Sequence, residues 1–179
     1  NLRARGLTVH LVEAAPQAVA PLDAEMAALV HAELRANGVA CYFGVTVTKA
    51  ERAEDRLRLT LSRGGELLTD AVVAAVGVVP ETGLAQACGL RLGPTGGIAV
   101  DGQLRTSDPD IYAAGYAVEI VNRISGKPAM IPLAGPANKQ ARIIADNLAG
   151  GHREYGGAIG SSVLKVFALT AGAVGLNAR

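Results

Sequence analysis

The sequence has 179 residues; half of them are hydrophobic, 18% are charged, and the formal net charge is +1. This composition supports a packed core and argues against intrinsic disorder. The near-neutral charge, the scarcity of aromatic residues and the absence of Trp argue against a nucleic-acid-binding surface. No apolar run reaches the roughly 18 residues that a membrane-spanning helix needs.

The beginning of the chain has the pattern of a strand followed by a helix. The stretch "NLRARG" at 1–6 reads as the end of a helix that stops at a glycine, so we expect the chain to be an internal segment of a longer protein. Residues 7–13 are apolar and β-branched and end in an acid, which predicts a strand. Asp23 and Gly38 are placed to begin and end the helix that follows. The predicted apolar face of this helix consists of Met26, Leu29, Val30 and Leu34.

Four further strands are predicted before residue 78. Residues 39–50 read as one strand. Residues 56–61 alternate polar and apolar side chains before a glycine turn and a return strand at 66–68, which predicts an antiparallel hairpin with one solvent-exposed face. Residues 70–77, "DAVVAAVG", are apolar on both faces, as in a buried central strand of a parallel sheet. This order of elements is typical of nucleotide-binding α/β domains.

A second α/β unit is predicted toward the end of the chain. Residues 96–107 predict a strand and a turn, and residues 111–114 predict a short strand that reaches Gly115 and continues as a helix. A longer helix begins near Pro136 and ends at a pair of glycines. Residues 163–169 alternate like a strand with an exposed face. The apolar face predicted for the longer helix consists of Ile143, Ile144 and Leu148.

Two positions at strand ends are candidates for binding a dinucleotide. Glu13 is the type of acid that, at the end of the second strand of such a unit, accepts hydrogen bonds from ribose hydroxyls and repels a 2′-phosphate. Gly77 ends the predicted buried strand, where a side chain would block a flat ring. Each position also has a simpler interpretation, a solvated acid and an ordinary strand-ending glycine.

The start of the helix near Pro136 is a candidate anion site. Its free amides and its dipole present partial positive charge, and the preceding "PLAG" has a single bulky side chain. A ligand that becomes anionic, such as reduced flavin, could therefore reach the main chain. The alternative is a loop that joins a helix without a ligand.

No catalytic or metal-binding group is evident. The three histidines lie on separate predicted elements, so we expect them to be solvated or to have hydrogen-bonding partners in the core. Cys41 and Cys88 are 47 residues apart and have neither metal-ligand nor disulfide spacing. We expect both thiols to be buried apolar groups.

Five stretches, in one order along nearly the whole chain, resemble the pyridine nucleotide-disulfide oxidoreductase family, and within it the coenzyme A-disulfide reductase and NADH oxidase branch. They are "VHLVEAAPQAVAPLDAEMA", "AAVGVVPETGLA", "GLRLGPTGGIAVDGQLRTSDPDIYAAG", "IPLAGPANKQARIIADNLAG" and "GSSVLKVFALTAGAVGLN". The resemblance implies an α/β fold of FAD/NAD(P)-binding, Rossmann-like three-layer domains with the start of an α+β dimerisation domain. It assigns 1–79 to the NAD-binding domain, 80–151 to the second segment of the FAD-binding domain, and 152–179 to the start of the dimerisation domain.

The resemblance also implies a function. Such enzymes pass hydride from NADH through FAD to a small-molecule acceptor, which is a disulfide, a persulfide or oxygen; NADPH is less favoured here because of Glu13. We expect the full-length protein to be a cytoplasmic homodimer. The family's glycine loops and redox cysteine have no match in this chain, so we expect the isolated chain to be inactive and poorly stable, with strand 72–76 lacking neighbours. The alternative is a degenerate, non-catalytic binding module of the same fold.

Cofactor-binding residues follow from the resemblance position by position. Glu13 is expected to hold the NAD ribose, and Gly77 and Gly160 to approach the nicotinamide. Gly115 and Tyr116 are expected to flank the ribityl chain of FAD, where the family has Asp in place of Tyr116. The residues expected along the edge of the flavin ring are Leu133, Ala134 and Gly135. Either Tyr116 is an accident of one sequence, which we favour, or FAD binding is altered.

Overall fold

The computed structural model of the protein describes residues 1–176, which form two compact units. The first contains Asn1–Val76 together with residues 162–176, and the second contains Gly77–Ser161. Both combine helices with small sheets, which agrees with the predicted α/β class. None of the helices in the described residues has the length and apolar character needed to cross a membrane.

The first unit is built on a strand–helix–strand motif. Strand β1 (Val9–Glu13) pairs in parallel with β2 (Val39–Phe43), and helix α1 (Ala24–Ala36) connects them. A short 3₁₀ turn, Arg3–Arg5, precedes β1 and ends at Gly6, whose φ of 81° requires glycine. The predicted helix end, strand and helix are therefore confirmed.

Helix α1 buries Val30 and packs Leu34 on the core, as predicted, but not the rest of the predicted face. Ala27 and Val30 are fully buried, whereas Met26 and Leu29 are 55% and 56% exposed, so the prediction for these two residues is wrong. Small Ala27 does not stand out in a hydrophobicity pattern, yet it allows close packing. The partly buried apolar residues packed on this cluster are Val19, Leu34, Val166, Leu169, Ala171 and Ala173.

The last four of those residues belong to a β-hairpin. Strands β9 (Ser161–Val166) and β10 (Leu169–Val174) form this hairpin, so the single strand predicted at 163–169 is wrong. The turn contains neither Gly nor Pro; Phe167 instead adopts a φ of 51°, which sequence patterns rarely reveal.

A three-stranded antiparallel sheet completes the first unit. Its strands are β3 (Val47–Ala53), β4 (Arg56–Leu61) and β5 (Glu66–Thr69), in the order β3-β4-β5. The hairpin with one solvent-exposed face is confirmed, because the arginines of β4 are exposed while Leu59 and Leu61 are buried. The strand predicted over 39–50 is broken at Gly44, where φ is 65° and the chain passes from one sheet to another.

Residues 70–77 form no strand, and the prediction of a buried central strand is wrong. Val73 is 80% exposed and Val76 is 95% exposed. A strand needs a neighbour to complete its ladder, but within the described residues β1 pairs with β2 alone and no strand pairs with this segment. Its exposure agrees with the expectation that residues 72–76 lack neighbours in the isolated chain.

The second unit contains a small mixed sheet and two helices. Strands β6 (Ile98–Ala99), β7 (Val118–Val121) and β8 (Pro128–Met130) lie in the order β6-β7-β8; β7 is parallel to β6 and antiparallel to β8. Helix α2 (Gly83–Ala87) precedes the sheet and helix α3 (Ala134–Leu148) follows it. The centre of the core consists of Val118, Ile120 and Ala158.

The segment before β7 differs from its prediction. Residues 111–114 form only a single bridge, between Tyr112 and Arg105, and Gly115 is followed by a turn and then by β7 rather than by a helix. The β-branched residues of β7 favour a strand. The predicted strand-to-helix bend is therefore a bend between an extended segment and a strand.

Helix α3 begins and ends as predicted, but its buried face is partly polar. Pro136 lies in the first turn, and Gly150, just after the helix, has a φ of 94°. Ile143 is buried as predicted, whereas Leu148 is exposed. The other fully buried residues of the helix are Gln140 and Asn147.

Asn147 ties two loops to helix α3. Its Nδ2 donates to the carbonyl oxygens of Arg153 (2.9 Å) and Gln103 (3.4 Å), and its Oδ1 accepts a hydrogen bond of 2.7 Å from the backbone N–H of Arg153. These bonds explain why a polar side chain is buried here, because a buried amide without partners is costly.

Candidate functional site

Glu13 lies at the carboxyl end of β1, beside the end of β2. Because β1 and β2 are parallel, Glu13 pairs with Phe43 and both loops leave the same edge of the sheet. The backbone N–H of Ala15 donates to Oε1 of Glu13 at 2.8 Å, and Gly44 N–H donates to the Ala15 carbonyl at 2.8 Å. The carboxylate is therefore held in place by its own loop.

The Glu13 carboxylate is suited to binding uncharged hydrogen-bond donors such as hydroxyl groups. Within residues 1–176, Glu13 belongs to none of the ion pairs. A fixed, uncompensated carboxylate can accept hydrogen bonds from vicinal hydroxyls, and it repels a phosphate at the same position.

In the second unit, the bend at Gly115 borders an open concavity. Gly115 has a φ of 97°, and a Cβ placed there would meet no atom within 4 Å. The concavity measures about 330 Å³ and is mostly apolar. It is lined by Val78, Val79, Pro80, Glu81, Ala114, Tyr116, Ala117 and Pro132. The fold thus brings residues 78–81 together with the bend and with the residue before Leu133.

The start of helix α3 presents free backbone donors next to Pro132. Leu133 occupies the N-cap position and cannot cap with its side chain, and Pro136 has no N–H. In the described part of the chain, the amides of Ala134 and Gly135 have no acceptor. A Cβ on Gly135 would meet nothing within 4 Å, so the approach to these amides is open. This geometry suits an anionic or carbonyl-bearing ligand.

Gly77 and Gly160 lie in open surroundings. A Cβ at either position would meet no atom within 4 Å, although the φ of 104° at Gly77 requires glycine there. Both belong to the second unit, whereas Glu13 belongs to the first. Steric contact within the described chain therefore does not require glycine at either position, and only the backbone conformation does so at Gly77.

Sequence reasoning missed Gln140, which is hydrogen-bonded to the Gly115 bend, and Tyr155, which interacts with Gln140. Gln140 accepts a hydrogen bond of 2.7 Å from the Gly115 N–H through Oε1. Tyr155 hydrogen-bonds with the Gln140 side chain; partial burial of the phenol raises its pKa, and this hydrogen bond lowers it. One sequence signal could have identified Gln140: it lies on the helix face of Ile143, and Asn147, a second amide, follows seven residues later on that face.

The two cysteines differ from each other and from their prediction. Cys41 is half-buried, and burial raises the pKa of its thiol while Arg35 lowers it. Cys88 is exposed, so the prediction of a buried thiol is wrong there. No group of three metal-ligating side chains occurs among residues 1–176.

Comparison with known proteins gives the family. The family model described as pyridine nucleotide-disulphide oxidoreductase matches residues 1–138. The chain belongs to this family. The prediction of the pyridine nucleotide-disulphide oxidoreductase family is therefore confirmed.

Solved structures superpose closely on the chain. Reduced CoADR-RHD of Bacillus anthracis is 43% identical with a TM-score of 0.93, over 99% of this chain and 32% of that one. An NAD-dependent persulfide reductase from A. fulgidus is 39% identical with a TM-score of 0.91, over 96% of this chain and 32% of that one.

A curated relative carries the name of the other predicted activity. An NADH oxidase of Methanocaldococcus jannaschii is 32% identical over 99% of this chain and 40% of its own length. The chain spans between 18% and 40% of the lengths of the curated relatives it matches.

Proposed function

We propose that the chain is the part of an FAD-dependent NADH oxidoreductase that binds both cofactors without supplying the redox cysteine. The observation that carries this proposal is the setting of Glu13, whose Oε1 is held by the Ala15 N–H and whose carboxylate belongs to none of the ion pairs among residues 1–176. A ribose with free 2′- and 3′-hydroxyls fits this arrangement, and a 2′-phosphate does not. NADH is therefore the preferred reductant.

The second unit fits FAD at most of the proposed positions. Open Cβ positions at Gly115 and Gly135 and the uncapped amides of Ala134 and Gly135 would accommodate the flavin edge and its ribityl chain. Leu133 would contact the ring beside them. Tyr116 is the one misfit: its 46% exposed phenol lines the concavity where a compact carboxylate is expected from the resemblance.

FAD, when bound, accepts hydride from NADH and passes electrons onward; the chain supplies position and electrostatics. The α3 N-terminus would stabilise negative charge at the flavin edge. Gly77 and Gly160 would leave room for the nicotinamide. The acceptor is proposed to be a small molecule: a disulfide, a persulfide or oxygen.

The remaining assignments of the proposal concern domains and assembly. Residues 1–79 belong to the NAD-binding domain, 80–151 to the FAD-binding domain and 152–179 to the dimerisation domain. The full-length protein is proposed to act as a cytoplasmic homodimer without nucleic-acid partners. The support for the domain assignments is the match to longer relatives over nearly the whole chain.

The test uses the full-length protein loaded with FAD, and follows bleaching of the flavin band near 450 nm by NADH and by NADPH. We expect NADH to be preferred. The double variant Glu13→Ala/Ala14→Arg should shift the preference toward NADPH by on the order of tenfold or more, because repulsion is replaced by attraction. Glu25→Ala, an exposed acid in the first turn of α1, is the control and should change nothing. Equal use of both nucleotides by the wild type would refute the role of Glu13.

Tyr116 favours a second candidate, a non-catalytic module of the same fold. In this case the phenol obstructs the ribityl position and FAD does not bind. Flavin-free protein that still binds NADH would support this candidate, whereas a bleachable 450 nm band would exclude it.

A further inference from the structure

Helix α3 buries one amide at the point where it passes the Gly115 bend. Gln140 is 1% exposed and is among the largest fully buried side chains in the described chain. It shares its face with Ile143 and Asn147. Asn147 holds two loops, so Gln140 is the polar side chain of this face whose role is still to be explained.

The Gln140 side-chain oxygen holds the Gly115 bend. Oε1 accepts the Gly115 N–H at 2.7 Å, and the Gln140 side chain lowers the pKa of the Tyr155 phenol. Tyr155 is fixed in turn, because its backbone N–H donates to the Gly102 carbonyl at 2.7 Å. A Leu or Met at position 140 would fill similar volume without needing partners. The amide therefore has a use that packing alone does not explain.

The Gly115 hydrogen bond sets the orientation of one peptide group. The peptide that joins Ala114 to Gly115 is planar and trans, so fixing its N–H toward Gln140 directs the Ala114 carbonyl the opposite way. Gly115 has a φ of 97°, a region in which glycine is otherwise free to move. The residues on either side, Ala114 and Tyr116, both line the concavity.

We propose that Gln140 is a positioning residue, which fixes the Ala114–Gly115 peptide from inside the fold and so sets the shape of the bend that faces the concavity. The identity of the ligand in that concavity rests on the proposed function; the fixing of the peptide does not. Gln140 itself is buried behind the bend and is not proposed to contact the ligand.

Amide hydrogen exchange of the full-length protein tests the fixing directly. In the wild type, the Gly115 N–H should be protected although it lies outside every strand and helix. Gln140→Met should speed its exchange about tenfold, while Gln140→Glu, which keeps an acceptor, should restore protection. Arg142→Met, exposed on the same helix, is the matched control. An unprotected Gly115 in the wild type, or protection unchanged in Gln140→Met, would overturn the proposal.

FAD titration of the same variants connects the bend to the ligand. Gln140→Met should weaken FAD binding about tenfold, and Gln140→Glu should recover most of it. A purely structural role would lower stability in both variants without this rescue, and that result would overturn the positioning role. If the wild type binds no FAD, the proposed cofactor is wrong, and the exchange experiment still decides the role of Gln140.

Discussion

Replacing Gly135 by Ala should make the protein more stable and its flavin binding weaker. Gly135 is the second residue of α3, has no positive φ, and would carry a Cβ that meets no atom within 4 Å. The substitution therefore has no steric cost, and it removes the unfavourable conformational entropy of glycine in a helix. We expect the free energy of unfolding to rise by about 0.5–1 kcal/mol.

The same Cβ would stand in front of the free amides at the start of α3. If the flavin edge approaches these amides, the methyl group should raise the Kd for FAD on the order of tenfold, or about 1.4 kcal/mol. Urea denaturation of the apoprotein measures the first effect and FAD titration the second. The opposite signs distinguish a ligand contact from general damage.

Ala141→Gly provides the control for this prediction. Ala141 is exposed on the same helix, so the change should lower stability by about 1 kcal/mol and leave the Kd for FAD unchanged. A stabilised Gly135→Ala variant with wild-type FAD affinity would show that the flavin does not approach the α3 N-terminus, and this part of the proposed site would be withdrawn.

The remaining predictions concern stability, thiol chemistry and the misfit residue. Asn147→Ala should lower the free energy of unfolding by about 2–4 kcal/mol because it removes three hydrogen bonds that tie two loops to α3, whereas Asn138→Ala, on the exposed face, should cost less than about 1 kcal/mol. In a thiol-reagent assay at pH 8, exposed Cys88 should react before Cys41, and a faster Cys41 would contradict the burial. Burial raises the pKa of the Cys41 thiol above its ordinary 9.0, so the folded state favours the protonated thiol. The resulting contribution to the free energy of unfolding is complete below pH 9 and is lost as the pH rises through the raised pKa. Cys41→Ala should therefore remove this pH dependence of stability from denaturation curves measured above pH 9. Tyr116→Asp in the full-length protein should raise flavin occupancy, measured by absorbance near 450 nm; unchanged occupancy would mean that the phenol is no obstacle.

Elements whose signals are local could be predicted from the sequence. Helix α1, the β4–β5 hairpin and helix α3 have their own ending glycines, turn residues and side-chain patterns, and the structure places them where these signals lie. Gly6 and Gly150 end a 3₁₀ turn and a helix, respectively, with positive φ values that only glycine adopts readily.

Elements that depend on distant partners could not be predicted. The apolar pattern of 70–77 shows that the segment is suited to burial, but burial requires a neighbouring strand, and none lies beside it in the described chain. The turn at Phe167 has no glycine to mark it.

The candidate site was only partly predictable for the same reason. Gly115 and Tyr116 could be identified from their place in the sequence, but the hydrogen bond to Gln140 joins residues 25 positions apart. Helical periodicity identified Ile143 on the buried face of α3, but it showed neither that Gln140 is buried nor which backbone group its amide meets.

The exposed segment at 72–79 has a consequence for handling the isolated polypeptide. Val76 and Val79 are 95% and 93% exposed, and within the described chain the backbone of this stretch forms no hydrogen bonds. An extended apolar backbone of this kind is a template for intermolecular β-pairing. In two copies of the chain, these segments can pair with each other as strands. We therefore expect solutions of the isolated polypeptide to become turbid on concentration. A charged residue at position 76 should delay this aggregation.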